Sequence, residues 1–223
     1  MFGPEALAKE MFSNYRIVDL SLEVRPGVEK VDGDYHWGNQ IRRFQIRQFI
    51  APGPHFMYWV EAETHVGTHV ELPAHIIDGA KSATEMPLEM FMGEAVVFDF
   101  GFLEPGEDGR RLIQPGHLAS VKPGDIVLMW SSRPGRNPAV SLEAGKLLAE
   151  RPIKMLGIAN VSAPDDVHHV LLGRERTPIL IIEQLAHLDE IRKERVFFIG
   201  LPLRVAEMDS SWIRAIALEP QSP

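Results

Sequence analysis

The chain has 223 residues, of which 45% are hydrophobic and 24% are charged, and its formal net charge is −8 at pH 7. This composition is ordinary for a soluble globular protein and allows a large core without disulfide bonds. The absence of cysteine excludes disulfides, a cysteine nucleophile and thiolate metal ligands, and the acidic balance argues against a nucleic-acid-binding protein.

The N-terminal segment gives no sign of export. Residues 1–16 contain Glu5, Lys9 and Glu10 and lack the apolar stretch of a signal peptide. No apolar run approaches the ~20 residues of a membrane-spanning helix. We therefore expect a cytoplasmic protein with a small-molecule substrate and neither nucleic acid nor a membrane as partner.

In chain order, the pattern predicts a leading helix or arm over residues 1–15, followed by many short strands and few helices. Alternating or compact apolar runs predict strands over 16–24, 43–50, 55–63, 95–100, 125–130, 153–158, 179–182, 196–202 and 213–218. Helices are predicted over 4–13, near Pro87, over 141–150 with Ser141 as N-cap, and from Pro164 to Gly173. Strands outnumber helices, so we expect a mixed α/β or α+β single domain spanning residues 1–223.

Three aromatic residues are candidates for binding a flat substrate. Phe56 and Trp59 belong to a predicted half-buried hairpin, so both could equally be core residues. Trp37 stands in a polar segment over 28–40 that we expect to be a loop, which makes it the better candidate for a binding pocket.

The most informative segment is 65–75, which contains three of the nine histidines and an acid: His65, His69, Glu71 and His75. In extended backbone, His65 and His69 would lie roughly 13 Å apart, at ~3.3 Å per residue, too far to share one ion. The chain must therefore kink, and Gly67 and Pro73 are the residues that permit it. Histidine and carboxylate ligands suit zinc, manganese or iron. On spacing alone, chance clustering remains the alternative to a metal site.

The same segment, His-Val-Gly-Thr-His-Val-Glu-Leu-Pro-Ala-His, resembles the signature of the cyclase family of metal hydrolases, which includes bacterial kynurenine formamidase and isatin hydrolase. That signature reads His-x-Gly-Thr-His-x-Asp-x-Pro-x-His, and only Glu71 departs from it. Weaker similarities extend over residues 16–218, including Pro123-Gly124-Asp125 and Glu183-Gln184-Leu185. The resemblance implies a swivelling β/β/α domain with a mixed sheet and short helices.

The resemblance also implies a site with two ions, Zn2+ or Mn2+. One ion would be held by His65, His69 and Glu71, and the other by Glu71, His75, a distal histidine and Glu183. His168 is the predicted distal ligand and His169 the alternate, because His168-His169-Val170-Leu171 resembles the family's His-x-x-Leu. Neighbours on a helix point about 100° apart, so only one of the two should face the site. His75, His168 and Glu183 are the predicted catalytic residues.

The activity implied is hydrolysis of an amide or cyclic amide by activated water, which needs no serine or cysteine nucleophile. Glu71, Ala159 and Trp212 replace residues common in the family, so the substrate is not implied. The alternatives are a catalytically silent metal-binding relative and a metal-dependent lyase or cyclase. A homodimer or homotetramer is also expected from the resemblance.

Overall fold

The computed structural model describes residues 13–25, 36–37, 40–41, 44–53, 55–133, 135, 137–174 and 176–221. Ser13 and Asn14 are helical, while the rest of the predicted helix over 4–13 lies outside the described residues. So does most of the predicted loop over 28–40. No helix within the described ranges is both long and apolar enough to span a bilayer.

Strands dominate the described part of the chain, as the sequence predicts. The strands are β1 (Tyr15–Asp19), β2 (His36–Trp37), β3 (Gln40–Ile41), β4 (Phe44–Ala51), β5 (His55–Ala62), β6 (His69–Glu71), β7 (Met92–Asp99), β8 (Leu112–Ile113), β9 (Ile126–Trp130), β10 (Ala139–Val140), β11 (Met155–Ala159), β12 (Leu180–Glu183), β13 (Arg195–Ile199), β14 (Ser210–Trp212) and β15 (Ile216–Pro220). The α-helices that are described over their whole length are α1 (Leu142–Glu150) and α2 (Asp165–Leu172). Short 3-10 helices cover Pro73–His75, Ala83–Glu85, Leu88–Phe91, Pro115–Leu118 and Leu188–Glu190.

Nine of these strands form one mixed sheet in the order β1-β15-β13-β7-β9-β11-β12-β6-β14. Its central strands β7, β9, β11 and β12 are parallel, and antiparallel pairs extend the sheet on both sides. Parallel strands are usually covered on both faces and therefore read as continuous apolar runs. This explains why 126–129 and 179–182 look like uninterrupted hydrophobic segments. The predicted mixed α+β class is confirmed.

The core has two halves, one on each face of the sheet. Val127, Leu156 and Ile181 point to the face covered by α1 and α2. The alternate residues Leu128 and Ile182 pack on the opposite face. Because side chains alternate along a strand, the register of each strand decides which residues lie beneath the helices.

The predicted boundaries hold at α1 and fail at several strands: the strand predicted over 196–202 ends at Ile199, and the one predicted over 213–218 begins at Ile216. Ser141 caps α1 as predicted, since its hydroxyl accepts a hydrogen bond from the Ala144 amide at 3.1 Å. Residues near Pro87 form only a 3-10 helix, Leu88–Phe91. The strand predicted over 16–24 ends at Asp19, because its pairing partner β15 runs only as far as Ile216, opposite that residue.

The β4–β5 hairpin forms a two-stranded sheet separate from the nine-stranded one. The prediction that its strands are half-buried is wrong at most positions: Phe56 is 68% exposed and Trp59 is 70% exposed. The physical reason is that neither face of this ribbon packs on the main sheet along its length. Its aromatic contacts include Phe44 against Trp212 of β14, with ring centroids 5.7 Å apart.

Candidate metal centre

The backbone kinks at Gly67, as the sequence requires. Gly67 has a φ of 70°, in the left-handed region that glycine adopts at little cost. The kink brings the His65 and His69 rings to a centroid distance of 4.8 Å, with His65 Nδ1 3.1 Å from His69 Nε2. Two nitrogens at this separation can bind one ion, given metal–nitrogen bonds of about 2.1 Å.

Thr68 and Gly67 fix the kinked segment through hydrogen bonds. The Thr68 hydroxyl donates to the Gln184 carbonyl at 2.6 Å and accepts from the Leu22 amide at 2.8 Å, so the segment is tied to two other parts of the fold. His69 Nδ1 lies 2.7 Å from the Gly67 carbonyl. A carbonyl can only accept, so Nδ1 carries the proton and Nε2 is left free for an ion.

Sheet register places the remaining donors on one face. Glu183 of β12 pairs with His69 of β6, and Ile181 pairs with Glu71, so these side chains share the face covered by the helices. The pair of His69 and Glu183 lies at the carboxyl end of β12, where this strand ends. Pro73 begins the 3-10 turn Pro73–His75, which brings the His75 ring within 4.5 Å of the His65 ring.

Helix α2 closes the cluster with His168 rather than His169. His168 is buried, and its Nε2 lies 3.0 Å from Glu71 Oε2 and 3.7 Å from Glu183 Oε1. His169 is exposed at the edge of the same cavity. Adjacent helical residues point in different directions, which is why only one of the pair reaches the carboxylates.

The structure brings all six predicted ligands together around Glu71. The donor atoms form two groups, and within each group all atoms lie within 4.8 Å of one another. One group is His65, Glu71 and His75, and the other is His69, Glu71 and Glu183, so Glu71 belongs to both. His75 is therefore grouped with His65, whereas the resemblance implies that it shares an ion with Glu183. The set contains only imidazole and carboxylate donors, which suits a divalent metal.

Two buried carboxylate oxygens support this reading. Glu71 Oε2 and Glu183 Oε1 accept no well-aligned hydrogen bond from the described residues. A buried carboxylate without such partners costs several kcal/mol unless a cation compensates it. The donor set therefore fits a divalent cation at this position.

The electrostatics of the cluster point the same way. Burial lowers the pKa of His65, but Asp209 and Glu71 outweigh it and raise this pKa to about 9. Burial likewise lowers the pKa of His168, but Glu183 and Glu71 raise it to about 10. Burial raises the pKa of Glu71, yet the imidazoles of His168, His65 and His69 hold it well below its usual range. Imidazolium charges thus balance the buried carboxylates, and a divalent cation can replace those protons.

Asp209 is the site residue that the sequence did not reveal. Its carboxylate lies 2.8 Å from His65 Nε2 and 3.1 Å from His75 Nδ1. It is 144 residues from His65 along the chain and directly precedes β14. No spacing rule links it to the cluster, and only the pairing of β14 with β6 brings it there.

A cavity of about 240 Å³ opens onto the cluster. Its lining is His65, Glu71, His75, Ile76, Asp165, His168, His169 and Glu183. Phe56 and Trp59 do not line it, since both lie on the exposed hairpin. Trp37 is in the short strand β2, and its side chain lies outside the described part of the chain. A substrate-binding role for these three aromatic residues stays a prediction.

Substituting Gly67 is expected to destabilise the protein. A Cβ at this position would lie 2.5 Å from Val24 Cγ2, in a backbone conformation with positive φ. We expect Gly67→Ala to lower the free energy of unfolding by about 2–4 kcal/mol, from backbone strain plus overpacking. Urea denaturation of the purified variant measures this loss.

Gly109→Ala is the matched control. Gly109 has a similar φ of 76°, but nothing lies within 4 Å of an added Cβ. Its replacement should cost only about 1–2 kcal/mol, for the left-handed backbone alone. Equal losses in the two variants would show that the close approach to Val24 contributes nothing.

Comparison with known proteins shows the family to which the chain belongs. The Cyclase family model, described as "Putative cyclase", matches residues 18–164. The chain is 26% identical over 217 residues to kynurenine formamidase of Erythrobacter litoralis, covering 93% of this chain and 95% of that protein. It is 28% identical over 175 residues to kynurenine formamidase of Bordetella petrii, covering 72% and 79%.

Solved structures share the fold. Isatin hydrolase A from Labrenzia aggregata, bound to benzyl benzoate, superposes with a TM-score of 0.76 at 23% identity, covering 97% of this chain and 98% of that one. An isatin hydrolase bound to the product analogue thioisatinate gives a TM-score of 0.74 at 19% identity, covering 99% and 100%. The family match extends over more than half of the chain and includes the whole histidine segment. This protein belongs to the cyclase family.

Proposed function

We propose that this protein is a metal-dependent hydrolase that cleaves an amide or cyclic amide bond in a small aromatic substrate, with two Zn2+ or Mn2+ ions per chain. The observation that carries the proposal is the convergence of five side chains on Glu71, which belongs to both donor groups: His65, His69, His75, His168 and Glu183. A shared carboxylate between two donor groups suits a pair of adjacent ions.

His65, His69, Glu71 and Glu183 are almost fully buried and would hold the ions, together with His75 and His168 at the cavity. Bound ions supply Lewis acidity, which activates water and polarises an amide carbonyl. The leaving amine needs a proton, and the imidazoles of His75 and His168 line the cavity where it would depart. Glu183 Oε1 lies 3.7 Å from His168 Nε2, so both donors could reach the same ion.

The substrate class rests on the relatives. Their names specify kynurenine formamidase and isatin hydrolase, both of which act on C–N bonds of small aromatic molecules. At these identities the proposal takes the class of reaction from the relatives and not their particular substrates. The cavity of about 240 Å³ has room for a compact bicyclic ring or a formylated amine.

Metal removal is the experiment that tests the proposal. Protein purified without chelator or a nickel column is expected to contain one to two equivalents of zinc or manganese by plasma mass spectrometry. It should hydrolyse N-formylkynurenine, isatin or another small amide in a panel of such compounds. Dialysis against a chelator should abolish turnover, and adding Zn2+ or Mn2+ should restore it.

Each other outcome has a clear meaning. Metal uptake without turnover of any amide would favour a silent metal-binding relative. A product formed without addition of water would favour a lyase or cyclase. Failure to take up either ion would overturn the proposal.

The exposed hairpin also supports a homodimer or homotetramer. Both faces of β4–β5 expose apolar side chains, including Ile50, Phe56 and Trp59, and a lone hairpin is marginally stable. Most soluble oligomers are built from copies of one chain, so a second copy is the expected partner for this surface. The double variant Phe56→Ser/Trp59→Ser should shift the protein to monomer in sedimentation velocity.

Phe102→Ser is the control, because Phe102 is also exposed, at 59%, but lies outside the hairpin. It should leave the sedimentation coefficient unchanged. A wild-type chain that sediments as a monomer would overturn the assembly prediction. A cytoplasmic location likewise stays a prediction.

A further inference from the structure

A single carboxylate oxygen of Asp209 contacts two of the predicted metal ligands. Asp209 Oδ2 lies 2.8 Å from His65 Nε2 and 3.1 Å from His75 Nδ1. The two imidazoles make this contact through different ring nitrogens, Nε2 in His65 and Nδ1 in His75. One oxygen therefore holds two rings that enter the site from different elements, the kinked segment before β6 and the turn after it.

The opposite nitrogen of each ring faces Glu71. His65 Nδ1 lies 3.3 Å from Glu71 Oε1, and His75 Nε2 lies 3.6 Å from the same oxygen. Asp209 is thus on the far side of both rings from the shared carboxylate. It is placed to orient the two imidazoles, and not to bind the ion that they would share.

This arrangement determines where the ring protons reside. An ionised carboxylate can only accept hydrogen bonds, so His65 Nε2 and His75 Nδ1 must be the donors. A neutral imidazole carries one N–H, so the lone pairs of His65 Nδ1 and His75 Nε2 remain available on the Glu71 side. A carboxylate behind a ligating histidine fixes the ring and increases its basicity.

The carboxylate is itself held in place. The Thr64 hydroxyl donates to Asp209 Oδ1 at 3.0 Å, leaving Oδ2 for the two rings. The Asp209 carbonyl accepts from the Leu72 amide at 3.0 Å, and the Ser210 hydroxyl donates to the Thr64 carbonyl at 3.2 Å. These bonds tie the loop before the edge strand β14 to the residues that flank β6.

We propose that Asp209 is a positioning residue that sets the ring orientation and tautomer of both His65 and His75 for metal binding. The inference rests on the proposed metal site, and it assigns a role to a residue outside the histidine signature. It also explains why the loop before β14 must dock against β6 for the site to be complete.

The direct test measures metal affinity in Asp209→Asn. The asparagine side chain keeps the size of aspartate, but it loses the charge and one of the two acceptor oxygens. Loss of an outer carboxylate typically weakens metal binding about 10–100-fold, and we expect a loss in this range for Zn2+ in competition with a chromophoric chelator. Glu207→Gln is the matched control, because Glu207 is an exposed acid on the same loop and should leave the affinity unchanged.

A spectroscopic readout separates positioning from general destabilisation. In the Zn2+-loaded wild-type protein, nitrogen NMR of labelled histidine should show His65 bound through Nδ1 and His75 through Nε2, each with the other nitrogen protonated. Thr64→Val frees the second carboxylate oxygen, and it should weaken Zn2+ binding by a smaller factor than Asp209→Asn. This variant tests the proposal even if Asp209→Asn fails to fold by circular dichroism.

The outcomes distinguish this inference from the proposed function. If the wild-type protein binds Zn2+ and both Asp209→Asn and Glu207→Gln bind it with the same affinity as the wild type, the role of Asp209 is overturned and the metal site stands. Ligation of His65 through Nε2 would overturn it as well. A wild-type protein that binds no Zn2+ would overturn both.

Discussion

Replacing Glu71 with glutamine is expected to abolish both metal retention and amide hydrolysis. Glu71 is 2% exposed and is common to both groups of donor atoms, so its loss removes one ligand from each. A neutral amide cannot balance the imidazolium charges or bridge two cations. We expect metal content to fall below a tenth of the wild-type value and kcat/KM to fall on the order of 10³-fold, equal to about 4 kcal/mol.

Glu71→Asp is the informative partner of this variant, because the family signature has aspartate at this position. Aspartate keeps the charge but retracts the carboxylate by one methylene. We expect metal content near the wild-type value and kcat/KM within about tenfold, or about 1.4 kcal/mol. The pair therefore separates the need for a charge from the need for its reach.

Plasma mass spectrometry and steady-state kinetics on a turned-over amide measure both effects. Circular dichroism and urea denaturation of the metal-free proteins show whether the fold survives. Full metal occupancy in Glu71→Gln would contradict a bridging role, whatever its effect on rate.

The second large effect is expected at His168 and should be absent at His169. His168 is buried with its Nε2 3.0 Å from Glu71, whereas His169 is exposed at the cavity edge. Loss of an imidazole that binds metal or moves a proton costs about 10²–10⁴-fold. We expect His168→Ala to lower kcat/KM by about 10³-fold and to lower metal content.

His169→Ala is the matched control because it removes the same ring from the same helix. The variant should keep its metal. Its kcat/KM should fall less than about fivefold, because the substitution only alters the cavity wall. The decisive comparison is metal content, since an altered cavity wall does not change it. A loss of metal in His169→Ala but not in His168→Ala would show that α2 presents the other histidine to the site.

Local features of the sequence predicted much of this site. The spacing of His65, Gly67 and His69 already requires a kink, because extended backbone would hold the two rings too far apart. The structure confirms that kink at Gly67. The apolar run 179–182 followed by Glu183 likewise indicated a buried strand that ends in a costly carboxylate. Such signals are readable because they depend on neighbours along the chain.

The choice between His168 and His169 could not be read in the same way. Both histidines fit a helix opened by Pro164, and helical periodicity shows only that they diverge. The direction of α2 against the sheet decides that His168 faces Glu71. The grouping of His75 with His65 also follows from tertiary packing, because the turn at Pro73 can place that ring beside several donors.

The sequence by itself thus determined the fold class, the histidine segment and the chemistry that its side chains allow. Tertiary structure alone decided the place of Asp209 and the exposure of the hairpin. Asp209 reaches the site because β14 pairs with β6, a long-range pairing that no local spacing encodes. Phe56 and Trp59 look like core residues in the alternating pattern, yet alternation specifies only that a strand has two faces. What covers each face depends on the rest of the fold.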